Sequence, residues 1–253
     1  MAAAPFPYRN RPLNFGHRGA PKAAPENTLA AFEKAREAGA DGVELDVMLS
    51  ADGEVVVLHD FRVERTTDGQ GRAGTLTLSE LKALDAGSWF GPQFGGERIP
   101  TLREVFEWAG KDILLNIELK SVSPRSDGLE AKVVDIVREY GLQRRVLLSS
   151  FNPLVLRRVK QMAPDLNTGL LYAGDLPLYL RRAWLRPLAR PDALHPQYEL
   201  VTETYLVWGR RRGYRVNVWA PDKVPDLRRL IAQQVDIIIT NSVDVLASLL
   251  EHP

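Results

Sequence analysis

The chain has 253 residues, of which 45% are hydrophobic and 26% are charged, and these fractions are typical of globular rather than disordered or collagen-like proteins. Its 33 basic and 32 acidic residues leave a net charge of +1, which argues against a protein that binds nucleic acid through a broad basic surface. Cysteine is absent from the sequence, so disulfide bonds, thiolate nucleophiles and cysteine-ligated zinc are excluded.

The predicted elements alternate between short apolar strands and helices. The predicted strands are Leu13–Gly16, Gly42–Leu49, Ile113–Lys120, Arg145–Ser150, Thr168–Ala173, Ala193–His195, Tyr214–Ala220 and Val235–Thr240. The predicted helices are Thr28–Ala38, Leu102–Ala109, Leu129–Tyr140, Pro153–Met162, Val201–Arg212, Val224–Gln233 and Val243–Glu251. The first helix has a capping residue at Asn27 or Thr28, and Gly39 lies just past its end.

This alternation predicts the fold class. Strands such as the one containing Ile237-Ile238-Ile239 are apolar on both faces, as parallel strands covered by helices must be. Eight strand–helix units in a chain of this length predict an α/β fold, a TIM (β/α)8 barrel, as a single domain over residues 1–253. An open doubly wound sheet is the alternative, but no Gly-x-Gly-x-x-Gly segment follows the first strand.

The connection after the second strand is too long for a simple loop. An Asp52-Gly53 turn before Val55–Asp60 predicts a hairpin, and Leu78–Leu84 predicts a short helix. Loops that follow the strands form the active face of a barrel. The insertion at residues 50–100 is therefore either a peripheral decoration or a small subdomain over that face.

Charged and imidazole side chains collect at the carboxyl ends of the predicted strands, where barrel enzymes hold their catalytic groups. They are His17, Arg18, Glu44, Asp46, His59, Glu118 and Lys120. Glu44 and Asp46 lie two residues apart in one strand, so both carboxylates point to the same side. One acid–base pair would be explained as a salt bridge at the barrel mouth, but the full set favours a functional site.

The three carboxylates inside apolar strands predict a bound cation, because burying them is costly unless a positive charge neutralises them. Oxygen ligands from Glu44, Asp46 and Glu118 suit a hard divalent metal, Mg²⁺ or Ca²⁺. The local charge is −3 from carboxylates, +2 from the metal and +2 from Arg18 and Lys120, which sums to +1. That charge matches one phosphodiester anion, so the residues indicate phosphoryl chemistry.

Two of the four histidines are candidates for general acid and base. His17 and His59 lie close to the carboxylates, and imidazoles titrate near neutral pH, so together they can take up one proton and donate another. An isolated histidine would instead be a hydrogen-bonded structural residue. His195, on the sixth strand, belongs either to the core or to the pocket, and His252 is expected to be inert.

Nine short segments occur in a fixed order along the chain. They are His17-Arg18-Gly19, Pro25-Glu26-Asn27-Thr28, Glu44-Leu45-Asp46-Val47, Asp52-Gly53, His59-Asp60, Ile99-Pro100-Thr101-Leu102, Asn116-Ile117-Glu118-Leu119-Lys120, Val216-Asn217-Val218-Trp219 and Asp236-Ile237-Ile238-Ile239-Thr240-Asn241. In kind and order they resemble the motifs of the glycerophosphodiester phosphodiesterase family. The resemblance implies a TIM barrel with a small inserted domain, and hydrolysis of glycerophosphodiesters to an alcohol and sn-glycerol 3-phosphate.

The resemblance also implies a role for each matching residue. It makes His17 and His59 the catalytic acid–base pair, Glu44, Asp46 and Glu118 the metal ligands, Arg18 and Lys120 the phosphate-binding residues, and Trp219 part of the pocket wall. Glu26 and Asn27 also match a motif, but helix capping and turn formation explain them without a catalytic role. The chain departs from the family pattern after Trp219, where Ala220-Pro221-Asp222 replaces the usual hydrophobic-Asn ending.

Several alternatives stay open. The nucleophile is either water or the glycerol 2-hydroxyl. A lysophospholipase D-like or phospholipase-like enzyme acting on lipids is the second candidate, since Leu176–Pro191 interleaves apolar residues with four arginines. That segment is either an interfacial helix or a barrel helix with its apolar side inward. A catalytically inactive barrel that only binds phosphodiesters or a protein partner should lack one of the histidines or carboxylates, and this chain keeps all five.

The expected partner is a small-molecule glycerophosphodiester, with no nucleic acid bound. No apolar run approaches the roughly 18 residues that span a bilayer, and Met1–Pro12 lacks the apolar centre of a signal peptide. We therefore expect a cytoplasmic protein without stable membrane insertion, and peripheral membrane contact stays open.

Overall fold

The computed structural model describes residues 6–177 and 183–251. Its strands are β1 (Leu13–His17), β2 (Gly42–Leu49), β3 (Val55–Val57), β4 (Leu114–Leu119), β5 (Val146–Ser150), β6 (Asn167–Tyr172), β7 (Ala193–Pro196), β8 (Arg215–Trp219) and β9 (Ile237–Thr240). All except β3 pair in parallel in chain order, and β9 returns to β1, so eight strands close a barrel. The predicted TIM (β/α)8 barrel is confirmed.

The helices pack around the barrel and begin at well-defined capping residues. They are α1 (Leu29–Glu37), α2 (Leu78–Ala83), α3 (Leu102–Ala109), α4 (Leu129–Glu139), α5 (Pro153–Met162), α6 (Arg186–Ala189), α7 (Glu203–Arg211), α8 (Val224–Ala232) and α9 (Val243–Glu251). The hydroxyl of Thr28 accepts the Ala31 N–H at 3.2 Å, which makes Thr28 the cap of α1. Thr101 starts α3 in the same way, with Glu104 completing a capping box.

Strand alternation determines which side chains face the inside of the barrel. One apolar cluster fills the lower interior of the barrel, that is, the part toward the amino-terminal ends of the strands. It contains Leu13, Phe15, Ile237 and Ile239, together with side chains of β4 and β5. Gly42, opposite Phe15 in β2, leaves room for it, because a Cβ there would lie 2.5 Å from the phenyl ring. Because side chains alternate along a strand, the next inward side chain lies two residues further on, at the upper end of the barrel, where the strands have their carboxyl ends.

The strand register brings the polar members of this inward set together. His17 is aligned with Glu44 on the neighbouring strand. Glu44 is in turn aligned with Asn116, and Asp46 with Glu118. Because these residues follow apolar inward positions on their own strands, the barrel carries an apolar lower interior and a polar upper end.

Residues 50–100 form a small unit beside β2. The strand β3 pairs antiparallel with β2, as the predicted hairpin requires. Met48, Val56, Leu58, Leu81 and Ile99 are buried in a separate apolar cluster of this unit. The insertion is therefore anchored to the barrel through β2 and has a core of its own.

The segment 176–191 is described only in part, because residues 178–182 lie outside the described residues. In the described part of this segment, the one α-helix is α6. It ends at Arg190, which adopts the left-handed conformation (φ 49°). The guanidinium of Arg186 lies 4.9 Å from the Trp208 ring centre, which holds α6 against α7. Within the two described stretches, no helix has the length and apolar character needed to cross a bilayer.

Candidate active site

The predicted site residues meet at the carboxyl-terminal end of the barrel. A cavity of about 250 Å³ is lined there by His17, Arg18, Glu44, His59, Asn116, Glu118, Phe151, Leu171, Trp219, Ala220 and Ile239. Asp46 and Lys120 lie behind this lining, since the Lys120 Nζ is 2.9 Å from Glu118 Oε1 and 3.3 Å from Asp46 Oδ1. All eight residues singled out from the sequence are therefore in or directly against one cavity.

Three carboxylates form the most concentrated charge of the site. Ligand oxygens of Glu44, Asp46 and Glu118 lie within 4.8 Å of one another, and all three residues are buried. Burial and the nearby Asp46 charge raise the pKa of Glu44 well above its usual value and that of Glu118 to about 7. Burial also opposes ionisation of Asp46, but Lys120 and Arg18 lower its pKa. Without an added cation, the triad thus favours partial protonation.

Arg18 and Asn27 hold the carboxylates in place from the loop after β1. The backbone N–H of Arg18 donates to Glu44 Oε2 at 3.0 Å, and the Arg18 Nε lies 3.5 Å from Asp46 Oδ2. The Asn27 amide donates to the same Asp46 oxygen at 2.9 Å. Both Arg18 (φ 55°) and Asn27 (φ 58°) adopt the left-handed conformation, which costs about 1 kcal/mol or more for a non-glycine residue. The hydrogen bonds from the Arg18 backbone N–H and the Asn27 amide, together with the Arg18–Asp46 ion pair, oppose that cost.

The residues of the triad fit a hard divalent cation. Carboxylate oxygens are its preferred ligands, and a bound cation would stabilise the charged forms of Glu44 and Glu118, whose pKa values are raised by burial and by repulsion between the carboxylates. Asn116 supports the fit, because it is buried and lines the cavity while neither its amide oxygen nor its nitrogen has a hydrogen-bond partner among the described residues. An unpartnered buried amide is costly, and an amide oxygen is a further ligand for such an ion.

The two candidate catalytic histidines are each oriented through Nδ1. His17 Nδ1 lies 2.9 Å from Asn241 Oδ1, and its Nε2 lies 3.9 Å from Glu44 Oε2. His59 Nδ1 lies 2.5 Å from Asp60 Oδ1. Burial and the Arg18 charge lower the pKa of His17 to about 4, and burial and Lys120 lower the pKa of His59. Both imidazoles are therefore mainly neutral near pH 7, with Nε2 as the nitrogen left for chemistry.

Glu26 and Asn27 do more than the capping and turn roles assigned to them from the sequence. Thr28 alone provides the helix cap, whereas the Glu26 carboxylate accepts from Arg18 Nη1 at 2.8 Å. It also accepts two hydrogen bonds from Arg65, at 2.7 and 2.8 Å. The interpretation of Glu26 and Asn27 as capping and turn residues was therefore incomplete. Capping is a local role, and it gives no indication of hydrogen-bond partners that are distant in the sequence.

Arg65 is a residue of the insertion that no sequence motif indicated. Besides its two bonds to Glu26, its Nε donates to Asp60, the residue that orients His59. The insertion is thus joined to the loop after β1 directly beside the cavity. Nothing in the local sequence around Arg65 distinguishes it from other surface arginines, so only the fold reveals this contact.

Two aromatic rings, of Trp219 and Phe151, form an aromatic wall of the cavity. The Trp219 and Phe151 rings are 5.7 Å apart and nearly perpendicular, and Trp219 Nε1 donates to the carbonyl of His195 at 3.0 Å. Phe151 was not singled out from the sequence, although it directly follows β5. His195 itself is fully buried, bonds to Asn217 at 2.8 Å, and has a pKa lowered to about 3 by burial. It therefore belongs to the core and not to the pocket.

Asn241 and Asp222 are also part of the site and were missed. Asn241 lies two residues beyond Ile239 on the inward side, so the two-residue period of β9 was the signal that pointed to it. Asp222 accepts from the Asn241 amide at 2.8 Å, and it lies in the segment after Trp219 that departs from the family pattern.

Comparisons with known proteins agree with this geometry. Residues 17–245 match the model of the glycerophosphoryl diester phosphodiesterase family. A glycerophosphodiester phosphodiesterase of Caldanaerobacter subterraneus subsp. tengcongensis is 46% identical over 240 residues, which cover 94% of this chain and 97% of that protein.

Two solved structures share the fold. An Oleispira antarctica phosphodiesterase in complex with the product sn-glycerol-3-phosphate has a TM-score of 0.84 and 32% identity, and the match covers 95% of this chain and 97% of that one. A glycerophosphodiester phosphodiesterase of Agrobacterium tumefaciens has a TM-score of 0.81 and 30% identity, with coverage of 92% and 98%.

The carboxylate triad generates a stability prediction. In metal-free protein, Glu44→Gln should increase the free energy of unfolding at neutral pH, because the folded state raises the Glu44 pKa and so disfavours its charge. Each unit of such a shift is worth about 1.4 kcal/mol, and we expect a gain of that order. The gain should vanish as the pH falls below 4.5, the ordinary glutamate value, where the carboxyl is protonated in both states. Urea unfolding with chelator present measures it.

Glu130→Gln is the matched control, since Glu130 is also buried but pairs with Arg158 away from the cavity. We expect this variant to lower the free energy of unfolding, because it leaves the partly buried Arg158 guanidinium without its anion. A Glu44→Gln protein that is less stable than the wild type at neutral pH would contradict the description of the triad.

Proposed function

Since the chain belongs to the glycerophosphoryl diester phosphodiesterase family, we propose that it hydrolyses glycerophosphodiesters to an alcohol and sn-glycerol 3-phosphate with a divalent metal and two histidines. The observation that carries this proposal is one cavity that holds two imidazoles, a carboxylate triad and the Arg18 guanidinium. These are the groups that transfer of a proton to and from a phosphodiester requires.

The charge of the substrate is matched by the cations of the site. Arg18 lines the cavity and Lys120 lies against Glu118, so both compensate negative charge where the phosphate would bind. Glu44, Asp46 and Glu118 would hold Mg²⁺ or Ca²⁺, with Asn116 beside them. When bound, such an ion polarises a phosphoryl oxygen and stabilises the charge that builds up on it in the transition state.

The two histidines move the protons. His17 Nε2 accepts the proton of the attacking hydroxyl as that oxygen forms its bond to phosphorus. His59, whose Nδ1 is held by the Asp60 carboxylate, acts in its protonated form: the imidazolium donates its Nε2 proton to the alcohol oxygen as the bond from that oxygen to phosphorus breaks. His59 is then left neutral, with its remaining proton on Nδ1. The same arrangement serves water or the glycerol 2-hydroxyl as nucleophile, and attack by the hydroxyl would pass through a cyclic phosphate.

The aromatic wall provides the surface on which the organic part of the substrate lies. Trp219 and Phe151 present an edge-to-face aromatic pair in the lining of the same cavity as the charged groups. The Oleispira antarctica enzyme, with which the chain shares its fold, binds the product sn-glycerol-3-phosphate, and this supports a small glycerophosphate ligand here. A cytoplasmic location stays a prediction.

Replacing either histidine tests the acid–base assignment. His17→Ala and His59→Ala should each lower kcat for glycerophosphocholine by about 10²–10⁴, because each removes one proton transfer. The assay follows release of choline, with circular dichroism to verify folding. His252→Ala is the matched control and should leave turnover unchanged. Near wild-type turnover in either of the first two variants would refute the assignment.

Chelation tests the need for a metal. Prolonged treatment with EDTA should abolish turnover, because the buried triad then has only Arg18 and Lys120 to balance it. Adding Mg²⁺ or Ca²⁺ should restore turnover in the wild type and not in Asp46→Asn. Full activity in the exhaustively chelated protein would contradict metal dependence.

A second candidate is a lysophospholipase D-like or phospholipase-like activity, and one observation favours it. A larger cavity of about 410 Å³ lies beside the first, and Phe151 lines both. Val122, Pro124, Leu154 and Leu185 give this second cavity an apolar lining. A substrate whose alcohol carries a hydrocarbon chain could therefore place the phosphate in the first cavity and the chain in the second.

Substitutions in the second cavity distinguish the two substrate classes. Val122→Asp and Leu185→Asp should raise KM for a lysophosphatidylcholine about tenfold, since an apolar contact of this kind is worth 1–3 kcal/mol, and leave KM for glycerophosphocholine unchanged. Val207→Asp, at an exposed valine of α7, is the control. If lysophosphatidylcholine is not turned over at all, the lipid alternative fails and the first candidate stands.

A further inference from the structure

His17 is hydrogen-bonded to Asn241, and Asn241 is in turn hydrogen-bonded to Asp222. His17 Nδ1 lies 2.9 Å from Asn241 Oδ1, an oxygen that only accepts hydrogen bonds. The proton of the neutral imidazole must therefore lie on Nδ1. Nε2 then carries the lone pair, and it faces the carboxylate cluster from 3.9 Å.

This arrangement requires the Asn241 amide to turn its oxygen toward His17. Its nitrogen lies 2.8 Å from Asp222 Oδ2 and donates to it. In the opposite orientation the amide oxygen would face the carboxylate oxygen, where neither atom can donate. The amide nitrogen would then face His17 as a donor, and the imidazole proton would have to move to Nε2.

The Asp222 carboxylate is itself held firmly. Its Oδ1 accepts the Asn241 backbone N–H at 2.9 Å and lies 3.0 Å from the hydroxyl of the fully buried Thr240. Lys22 Nζ lies 4.0 Å from Oδ2 and hydrogen-bonds Ser242, the residue after Asn241. The carboxylate is thus fixed on both oxygens and presents only acceptors to the amide.

The side chain at position 222 decides how the Asn241 amide is oriented, because a carboxylate only accepts hydrogen bonds whereas an amide can accept or donate. Asp222 stands in the segment where the chain departs from the hydrophobic-Asn ending of the family pattern. An asparagine could offer either an oxygen or an NH₂ group to Asn241 and would leave both orientations of that amide possible. An aspartate permits only one.

We propose that Asp222 is a positioning residue that, through Asn241, holds His17 in the tautomer with the proton on Nδ1 and the lone pair on Nε2 toward the cavity. The inference rests on the proposed role of His17 as the group that accepts the proton. Its structural content, the tautomer, is measurable without any reaction.

The test is the tautomer of His17 in the full-length protein, labelled with ¹⁵N-histidine and measured near neutral pH by two-bond ¹H–¹⁵N correlation. The His17→Ala spectrum assigns the signal. In the wild type we expect a protonated Nδ1 and an unprotonated Nε2. Asp222→Asn and Asp222→Ala should give a mixture of tautomers or the reverse one. Asp226→Asn, at an aspartate paired with Arg229 on α8, should leave the wild-type signal unchanged.

Kinetics give the second measurement. Loss of a partner that orients a metal-bound histidine typically costs 10- to 100-fold. By analogy, we expect both Asp222 variants to lower kcat for glycerophosphocholine by about that factor, with little change in KM. A wild-type imidazole protonated on Nε2 would overturn the proposal. So would an unchanged tautomer in both Asp222 variants, even if His17→Ala is inactive. Near wild-type turnover in His17→Ala would instead refute the proposed role of His17 as the proton acceptor, whatever the tautomer.

Discussion

Burial of three carboxylates within 4.8 Å of one another is the constraint on which the rest of the site depends. Such a cluster is unfavourable inside a barrel unless positive charge and hydrogen-bond donors surround it. The chain supplies two cations, Arg18 and Lys120, and the protein groups alone leave a deficit of one positive charge, −3 against +2. Burial and repulsion between the carboxylates raise the pKa values of Glu44 and Glu118, and a divalent ion would more than make up the missing positive charge.

The compensation continues outward from the triad as an alternating series of charges. Asp46 faces Arg18, Arg18 pairs with Glu26, and Glu26 pairs with Arg65. Arg65 then pairs with Asp60, whose carboxylate orients His59. This series joins β2, the loop after β1 and the insertion. The insertion is therefore more than a decoration, because the position of a candidate catalytic histidine depends on its contact with the barrel.

Local patterns in the sequence were enough for the barrel and for the side chains that project from its strands. Apolar strands alternating with capped helices predicted the fold. Carboxylates two residues apart in an apolar strand predicted a shared site, because alternate residues of a strand point to the same side. Arg65 and Asp222 could not be predicted, because their partners are distant in sequence and lie on loops. The role assigned to Glu26 was incomplete for a related reason. Its place next to a helix start suggested only a local capping and turn role, and the sequence did not show its contact with Arg65.

The two histidines are held in the same way but by different acceptors, and this difference divides their roles. His59 Nδ1 faces the Asp60 carboxylate, and a hydrogen bond to a negative group stabilises the protonated imidazole. His17 Nδ1 faces the neutral amide of Asn241, and burial beside Arg18 lowers its pKa to about 4. Two groups of one chemical type whose surroundings separate their proton affinities are suited to act as acid and base. Burial lowers the pKa of both histidines, but at His59 the Asp60 carboxylate opposes that effect and stabilises the imidazolium, so His59 suits the donor and His17 suits the acceptor.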